Sequence, residues 1–558
     1  MKILILDSHS NAGLACIQSL GKAKHDIFSA SNKESSLSNS SVYGGNNYIY
    51  PDPMLSAIEF TDWIIKFQSE FRFDFILAVT DNTIYPLMEV TDPDLDKVLI
   101  LPNKATFEYA FNKEKTLLLA KKLNIPVPSN SYVTTDNFDI GDFTSYPLFV
   151  KPVQSKGVSE NGSFNLQPVL VESASELSTS VNKFLKYTPV QIQQCVPGVG
   201  VGIEVLCKQG KIIRAFAHKR LHEIPLTGGG SSYRKSIPMP ADLYQYSEQL
   251  MRSLNWHGVA MVEFKSENNN HWLMEINGRF WGSLPLAIHS GIDFPKLLID
   301  MLSEKNIPLE YSYNENLYVR NILKDLDWFK LNIRADKSNP RLITHGVGLS
   351  IFEILRVFTP KEKWDHFDLR DLGVFKKQIS MIVRKEINTI NNKLYKKYIL
   401  FKYRFIKDIP KANKILVLCY GNICRSPFVE HSLISSFNND AYEVKSAGFH
   451  ENINRNSPDY YQDICRGEGI DLENHKSVLV NSDLANWADL ILLMDYKNYE
   501  CAKSKLSPPN LKKCYFLGGD EKGDIEILDP YGKSSKEILA IVLQMKKSVS
   551  GFVSKILS

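Results

Sequence analysis

Between Arg384 and Lys414 the chain carries ten lysines and arginines against only Glu386 and Asp408, a local net charge of +8. No hydrophobic core can enclose such a stretch, because unpaired charges are too costly to take out of water. The stretch reads as a joint between modules. Within the stretch, Ile387, Ile390, Leu394, Tyr398, Phe401 and Phe405 recur at three- and four-residue spacing. That periodicity predicts one helix with an apolar stripe, which Pro410 ends. A basic amphipathic helix can lie on anionic lipid, but the favoured reading is a linker helix, 384–410, packed on a neighbouring domain with its basic face solvated.

The whole chain is 558 residues long with a formal net charge of only +4. Its length asks for several domains. The small net charge gives no preference for nucleic acid or membrane. The apolar start MKILILD meets an aspartate too early for a signal peptide, and no stretch approaches the roughly 20 apolar residues that span a bilayer. The eight cysteines are scattered without metal spacing, so reduced thiols and a cytoplasmic location are expected.

Residues 1–104 alternate apolar runs with helical stretches (KILILD, NAGLACIQSL, HDIFSAS, FDFILAVTD), the rhythm of a parallel α/β layer. From 146 to 280 short β-like runs dominate, an α+β texture. Residues 310–375 carry no interpretable motif. A further domain, 411–558, starts at the strand KILVLCY.

In that last domain, Cys419-Tyr420-Gly421-Asn422-Ile423-Cys424-Arg425-Ser426-Pro427 follows a buried strand and opens a helix. A strand, a tight loop and a helix start gather backbone N–H groups around an anion. A cysteine there sits in a positive field that favours the thiolate. Arg425 can return to grip two phosphoryl oxygens with its planar fork. Ser426 can donate to the sulfur, and Asn422 suits a left-handed turn. Attack on phosphorus needs a separate acid for the leaving oxygen, and Asp529 in Leu528-Asp529-Pro530-Tyr531-Gly532 supplies one, with Tyr531 as an aromatic wall. Cys424, in the same loop, is either a partner for a protective disulfide with Cys419 or a small buried residue.

This set closely resembles the low-molecular-weight protein tyrosine phosphatases, as do Ser446-Ala447-Gly448, GIDLENHKS (469–477) and ADLILLMD (488–495). The resemblance implies a central parallel sheet flanked by helices. It implies a phosphocysteine on Cys419, a phosphoryl group held by Arg425 and the loop amides, and Asp529 as acid and then base. A phosphotyrosine protein, such as a tyrosine kinase, is the implied substrate, and surface-polysaccharide assembly the implied setting.

The N-terminal half shows a second pattern. Glu263 lies in GVAMVEFK, and Glu275 and Asn277 in LMEINGRFWGS, two β-like runs joined by the turn-rich SENNNH. A hairpin would set the glutamates side by side with Asn277 pointing the same way, an oxygen shell for magnesium beside phosphates. Arg279 can face a transferring phosphoryl group. Lys151 ends a strand ahead of the small-residue loop 155–163, which suits a phosphate lid. Arg234 is a candidate clamp for a carboxylate.

In order, Lys113, Lys151, the loop, QIQQCVPG (191–198), Glu263, Glu275 and Asn277 resemble the ATP-grasp superfamily, and the carboxylate–amine ligase type in particular. The resemblance implies a pre-ATP-grasp layer over 1–104, the nucleotide-binding domain over 105–310 and an accessory region over 311–383. It implies phosphate binding by Lys113 and Lys151, an adenine hinge at Gln193, Gln194, Cys195 and Val196, and Mg2+ or Mn2+ on Glu263, Glu275 and Asn277. The implied reaction phosphorylates a carboxylate from ATP, and an amine then displaces phosphate. Gly278 stands where many members have proline, and Gln194 where many have an acid. The expectation is a bifunctional enzyme; the alternative is a phosphatase governed by a nucleotide-binding but non-catalytic sensor.

Overall fold

The computed structural model describes residues 1–134, 143, 145–154, 156–159, 162–308, 311–339, 342–404, 410–437, 441–518 and 525–557. The chain divides into two compact units, Met1–Ile382 and Val383–Ser558.

The N-terminal unit opens with β1 (Lys2–Ile5), whose Ile3, Leu4 and Ile5 are all buried, the mark of a central strand covered on both faces. With β2 (Asp26–Ser31), β3 (Asn47–Ile49), β4 (Phe75–Leu77) and β5 (Leu99–Ile100) it forms a parallel sheet in the order β3-β2-β1-β4-β5. The helix Asn11–Lys22 starts where the Ser10 hydroxyl accepts the Gly13 N–H. Next come β6 (Asn130–Val133) and β7 (Leu148–Pro152), an antiparallel hairpin of β8 (Lys156–Ser159) and β9 (Gly162–Asn165), then β10 (Val169–Val171) and β11 (Val190–Gln194). The segment expected as a phosphate lid is that hairpin; Ser155, Glu160 and Asn161 lie outside the described residues. Strands β10-β7-β11-β6 make an antiparallel sheet covered by Leu177, Val181 and Phe184 of the helix Ala174–Leu185.

A seven-stranded sheet completes the unit. It contains β12 (Val199–Lys208), β13 (Lys211–Ile224), β14 (Gly230–Ser236), β15 (Gly258–Glu267), β16 (Asn270–Asn277), β17 (Tyr318–Arg320) and β18 (Glu362–Trp364), in the order β16-β15-β12-β13-β14-β17-β18. The stretch 310–375, mute in sequence, thus supplies the last two strands. Beyond β18 the chain returns to the first layer. His366 Nε2 lies 2.7 Å from Asn11 Oδ1, and Asp371 accepts from Gln18 Nε2 and the Val42 N–H, both at 2.8 Å.

In the C-terminal unit β19 (Lys414–Cys419), β20 (Glu443–Gly448), β21 (Leu490–Leu493) and β22 (Cys514–Phe516) form a parallel sheet in the order β20-β19-β21-β22. Alternate residues of β19 feed opposite cores. Ile415 and Val417 join the helices Arg425–Phe437 and Ser535–Leu557, while Leu416 and Leu418 join Phe449, Tyr499 and Ile399.

Ile399 comes from the helix Leu372–Arg404, inside which the unit boundary falls. The residues expected to form a linker therefore pack, from 383 on, as part of the C-terminal unit. They do so through a different face from the one read in the sequence. Ile399 is buried with Tyr395 and Leu400 beside it, and Lys396 Nζ pairs with Glu526 at 2.7 Å. Ile387, Ile390, Leu394, Tyr398 and Phe401 are exposed, and Phe405 lies outside the described residues. No helix among the described residues is long and apolar enough to cross a membrane.

Candidate active sites

Cys419 is the last residue of β19, and the chain turns tightly into the helix Arg425–Phe437. Asn422 takes the turn at φ 50°, a left-handed conformation that asparagine tolerates better than most residues. Its N–H then points at Cys419 Sγ, 3.2 Å away, and the Ser426 hydroxyl donates to the same sulfur at 3.0 Å. The Asn422 amide holds the loop shut. Its Nδ2 donates to Ser426 Oγ at 2.9 Å and Ser446 Oγ at 2.8 Å, and its Oδ1 accepts the Val478 N–H at 2.8 Å. Because Ser426 Oγ already accepts from Asn422, its own proton is free for the sulfur.

Those bonds give a physical reason for two runs that the sequence offered only as matches. Ser446 and Gly448 lie on β20 beside the loop, and a Cβ on Gly448 would stand 2.9 Å from the Asn422 nitrogen and the Tyr420 carbonyl. In the 469–477 run, His475 Nε2 lies 2.8 Å from the Asn422 carbonyl.

Arg425 is almost wholly buried, with Nη2 2.9 Å from Asp529 Oδ2 and Nη1 2.5 Å from Asp495 Oδ2 and 3.0 Å from the Ile527 carbonyl. Burial works against its charge, but Cys419, Asp495 and Asp529 more than compensate and hold the guanidinium above its usual pKa. Asp529 is half exposed and Tyr531 stands out in solvent, so this edge faces an incoming ligand. A groove of about 500 Å³ runs from Asp529 past Asp495 and Tyr496 to Lys396. Cys424 is buried, and burial, then the neighbouring Cys419, pushes its thiol far above the usual range. All eight cysteines are free.

In the N-terminal unit the β15–β16 hairpin pairs Glu263 with Glu275 and Met261 with Asn277. Asn277 Nδ2 donates to Glu263 Oε1 at 3.1 Å and Glu275 Oε1 at 3.3 Å. The two carboxylates differ electrically. Burial raises Glu263, with Arg220 opposing only in part; burial also works on Glu275, but Lys113 and Lys151 outweigh it and hold Glu275 low. Two partly buried carboxylates bridged by a neutral amide form an oxygen set that suits a hard divalent cation. Lys151, on β7, is pulled down to about 8, chiefly by burial, and its amine contacts Gln193 Oε1.

A cavity of about 670 Å³ collects Lys113, Lys151, Glu263, Glu275, Asn277 and Arg279. Gln193, Gln194, Cys195 and Val196 are not among its lining residues. Gln193 reaches it through Lys151, and the Val196 carbonyl through Lys265 Nζ at 3.4 Å. The buried Gln193 Nε2 has no hydrogen-bond partner among the described residues. Arg279 is engaged on three sides, by Asp81 Oδ2 at 2.8 Å, the Phe280 carbonyl at 2.8 Å and Asn277 Oδ1 at 3.1 Å. Arg234, expected as a carboxylate clamp, lines the same cavity but is buried and paired with Asp365.

Sequence reasoning missed Arg220, Asp81, Asp495 and Lys396. Arg220 Nη2 lies 2.6 Å from Glu263 Oε2, although β12 separates their strands. It crosses because β12 reads V-G-V-G at 199–202: a Cβ on Gly200 would stand 2.7 Å from Arg220 Cδ, and one on Gly202 would strike the His218 ring. That alternation of glycines was the available signal. Asp495 closes the ADLILLMD run and caps the helix Tyr496–Lys505 as well as pairing with Arg425.

A family model described as low molecular weight phosphotyrosine protein phosphatase matches residues 414–557, and one described as ATP-grasp in the biosynthetic pathway with Ter operon matches residues 187–324. The low molecular weight protein-tyrosine-phosphatase Etp of Escherichia coli (strain K12) is 35% identical over 124 residues, which is 22% of this chain and 81% of that protein. The crystal structure of the Erwinia amylovora tyrosine phosphatase AmsI aligns at 27% identity and a TM-score of 0.24, over 26% of this chain and 92% of that one. An L-amino acid ligase from Bacillus licheniformis aligns at 17% identity and a TM-score of 0.40, over 54% of this chain and 74% of that one.

Proposed function

Since this chain belongs, through residues 414–557, to the low-molecular-weight protein-tyrosine-phosphatase family, we propose that Cys419 hydrolyses phosphotyrosine and that the ATP-grasp domain of the N-terminal unit is an active carboxylate–amine ligase. The observation that carries the phosphatase reading is the sulfur of Cys419, which receives the Asn422 N–H and the Ser426 hydroxyl while Arg425 lies in the same loop. The sulfur attacks phosphorus, an S–P bond forms, and the P–O bond to the phenol breaks. Asp529 gives its proton to the departing oxygen. Water then attacks phosphorus with Asp529 as base, releasing phosphate and restoring the thiolate. In the free site one oxygen of Asp529 is tied to Arg425. A phosphoryl dianion competes for that guanidinium, so substrate binding itself frees the acid for its task.

In the ligase reading Glu263, Glu275 and Asn277 would hold a divalent cation, Mg2+ or Mn2+, and Lys113 and Lys151 would neutralise ATP phosphates. The substrate carboxylate would take the terminal phosphoryl group of ATP, releasing ADP, and an amine would attack the carbonyl carbon of the acyl-phosphate, forming the amide and releasing phosphate. Arg220, 2.6 Å from Glu263 Oε2, would steady the charge of that carboxylate whether or not a cation is bound. The family resemblance adds a phosphotyrosine protein, such as a tyrosine kinase, as partner, and surface-polysaccharide assembly as setting.

The test is twofold. Cys419→Ser should abolish hydrolysis of an aryl phosphate while magnesium-dependent ATP binding persists. Glu275→Gln should weaken that ATP binding and leave hydrolysis intact. Substantial turnover by Cys419→Ser, or ATP binding indifferent to Glu275→Gln, would sink the corresponding half.

A further inference from the structure

Outside both sites, three side chains able to ligate a metal converge in the N-terminal unit. His222 comes from β13, His345 from the segment ahead of the helix Val347–Leu355, and Glu353 from that helix. One ligand atom from each lies within 4.8 Å of the others. Glu353 Oε2 is 3.0 Å from both His222 Nε2 and His345 Nδ1. Donors on a tetrahedral shell with bonds of about 2.1 Å stand about 3.4 Å apart, so two of the three separations need only small adjustment.

Two independent features point to a ligand at the centre. The first is the support behind His222. Its Nδ1 lies 2.7 Å from Asp325 Oδ1, and Asp325 accepts in turn from Ser232 Oγ at 2.7 Å and from Arg320. A carboxylate behind a histidine is the arrangement that fixes the tautomer and aims the other nitrogen at a metal. The ring is also stacked on Trp328, with centroids 3.4 Å apart and planes 3° from parallel, so it cannot swing away. The second feature is the helix that brings Glu353. Its only buried residues are Ser350 and Glu353, whereas Val347, Ile351, Ile354 and Leu355 face outward. Apolar burial, the ordinary anchor of a helix, is therefore not what holds this one.

We propose that His222, His345 and Glu353 form a site for a divalent transition metal of the zinc class, with an open fourth position. The metal pins the helix Val347–Leu355 to β13. Mixed imidazole and carboxylate donors select such a metal over magnesium, which takes oxygen. This proposal is independent of the ligase reading, since none of the three residues lines the nucleotide cavity.

The test uses the full chain carrying Cys419→Ser, to remove the reactive thiolate, stripped with a chelator and kept in excess magnesium to occupy Glu263 and Glu275. Zinc is titrated by calorimetry and counted by mass spectrometry after desalting. One equivalent should be retained. His345→Ala and Glu353→Gln should each weaken it by about a hundredfold, as loss of a ligand or its support does, and Glu275→Gln should not. Cobalt(II) in place of zinc should show tetrahedral d–d bands without thiolate charge transfer. Should both variants misfold, that spectrum decides alone: its absence overturns the site. So does failure to retain zinc, or equal retention by folded His345→Ala and Glu353→Gln.

Discussion

The helix residues 383–404 pack as part of the phosphatase unit, and Ile399→Ala measures by how much. Ile399 is 3% exposed and sits among Leu416, Leu418, Phe449 and Tyr499. Truncating a buried isoleucine to alanine costs about 2–5 kcal/mol, the spread reflecting how far the site collapses. This site is one helix on a core face, held otherwise by half-buried Tyr395 and Leu400 and by the part-exposed Lys396–Glu526 pair, worth about 1 kcal/mol or less. The helix can shift to fill the space, which places the expected loss near the lower end, about 3 kcal/mol. For a unit of this size that is a fall in Tm of roughly 6–12 °C. The assay is thermal unfolding of a fragment spanning 383–558, with and without the substitution, alongside a fragment cut at 411. The 411–558 fragment should unfold at or below the Tm of Ile399→Ala. Turnover of an aryl phosphate at a temperature where all three are folded should stay within a few-fold, because Cys419, Arg425 and Asp529 all belong to the 411–558 stretch that every fragment keeps. Equal stability of 411–558 and 383–558 would refute the reasoning and return the helix to the status of a linker.

Three further outcomes follow from the geometry. Gly448→Ala should cut aryl phosphate turnover more than tenfold in a folded protein, since its Cβ would press on the Asn422 amide and re-aim the loop; overpacking of this kind costs about 1–3 kcal/mol, readable as a lowered Tm. Asp529→Asn should lower kcat about 10²–10⁴-fold with phenyl phosphate and far less with a dinitrophenyl leaving group that needs no proton. His366 is pulled down to about 4, chiefly by burial, so the folded state keeps it neutral while the unfolded chain protonates near 6.5. Its stabilisation is present above about 6.5 and lost as pH falls toward 4, about 2 kcal/mol by pH 5, and denaturant melts of His366→Gln should show a correspondingly flatter pH dependence.

Much of the chemistry was legible because it is local. The Cys419 loop, its strand and its helix start are contiguous, and the turn-rich run between Glu263 and Glu275 announced a hairpin whose register follows from counting. Arg220 was only half legible: the alternating glycines at 199–202 mark a strand that a long side chain crosses, but the register across it, which names Arg220 and Glu263 as the pair, leaves no trace in spacing. The same holds for β17 and β18, three-residue strands too short to show a pattern, which add in turn to the edge at β14, β17 on β14 and β18 on β17. The basic helix failed differently. Periodicity found its more apolar stripe, but the packed face was chosen by Ile399 together with the pairing of Lys396 to Glu526, which burial statistics alone do not foresee.

The return of the chain from β18 to the first layer has a consequence for biosynthesis. The buried Gln18 and the loop at Val42 take partners from His366 and Asp371. At about 5–20 residues per second, a ribosome needs roughly 20–70 s to deliver those partners after starting the chain. Until then Gln18 and the loop at Val42 lack those partners, and from the time β14 is made its outer edge waits for β17, whereas the phosphatase sheet draws all its strands from one later stretch. The first half of the protein to be made is thus the half that must wait longest to close, and the half in which a premature stop leaves the most undone.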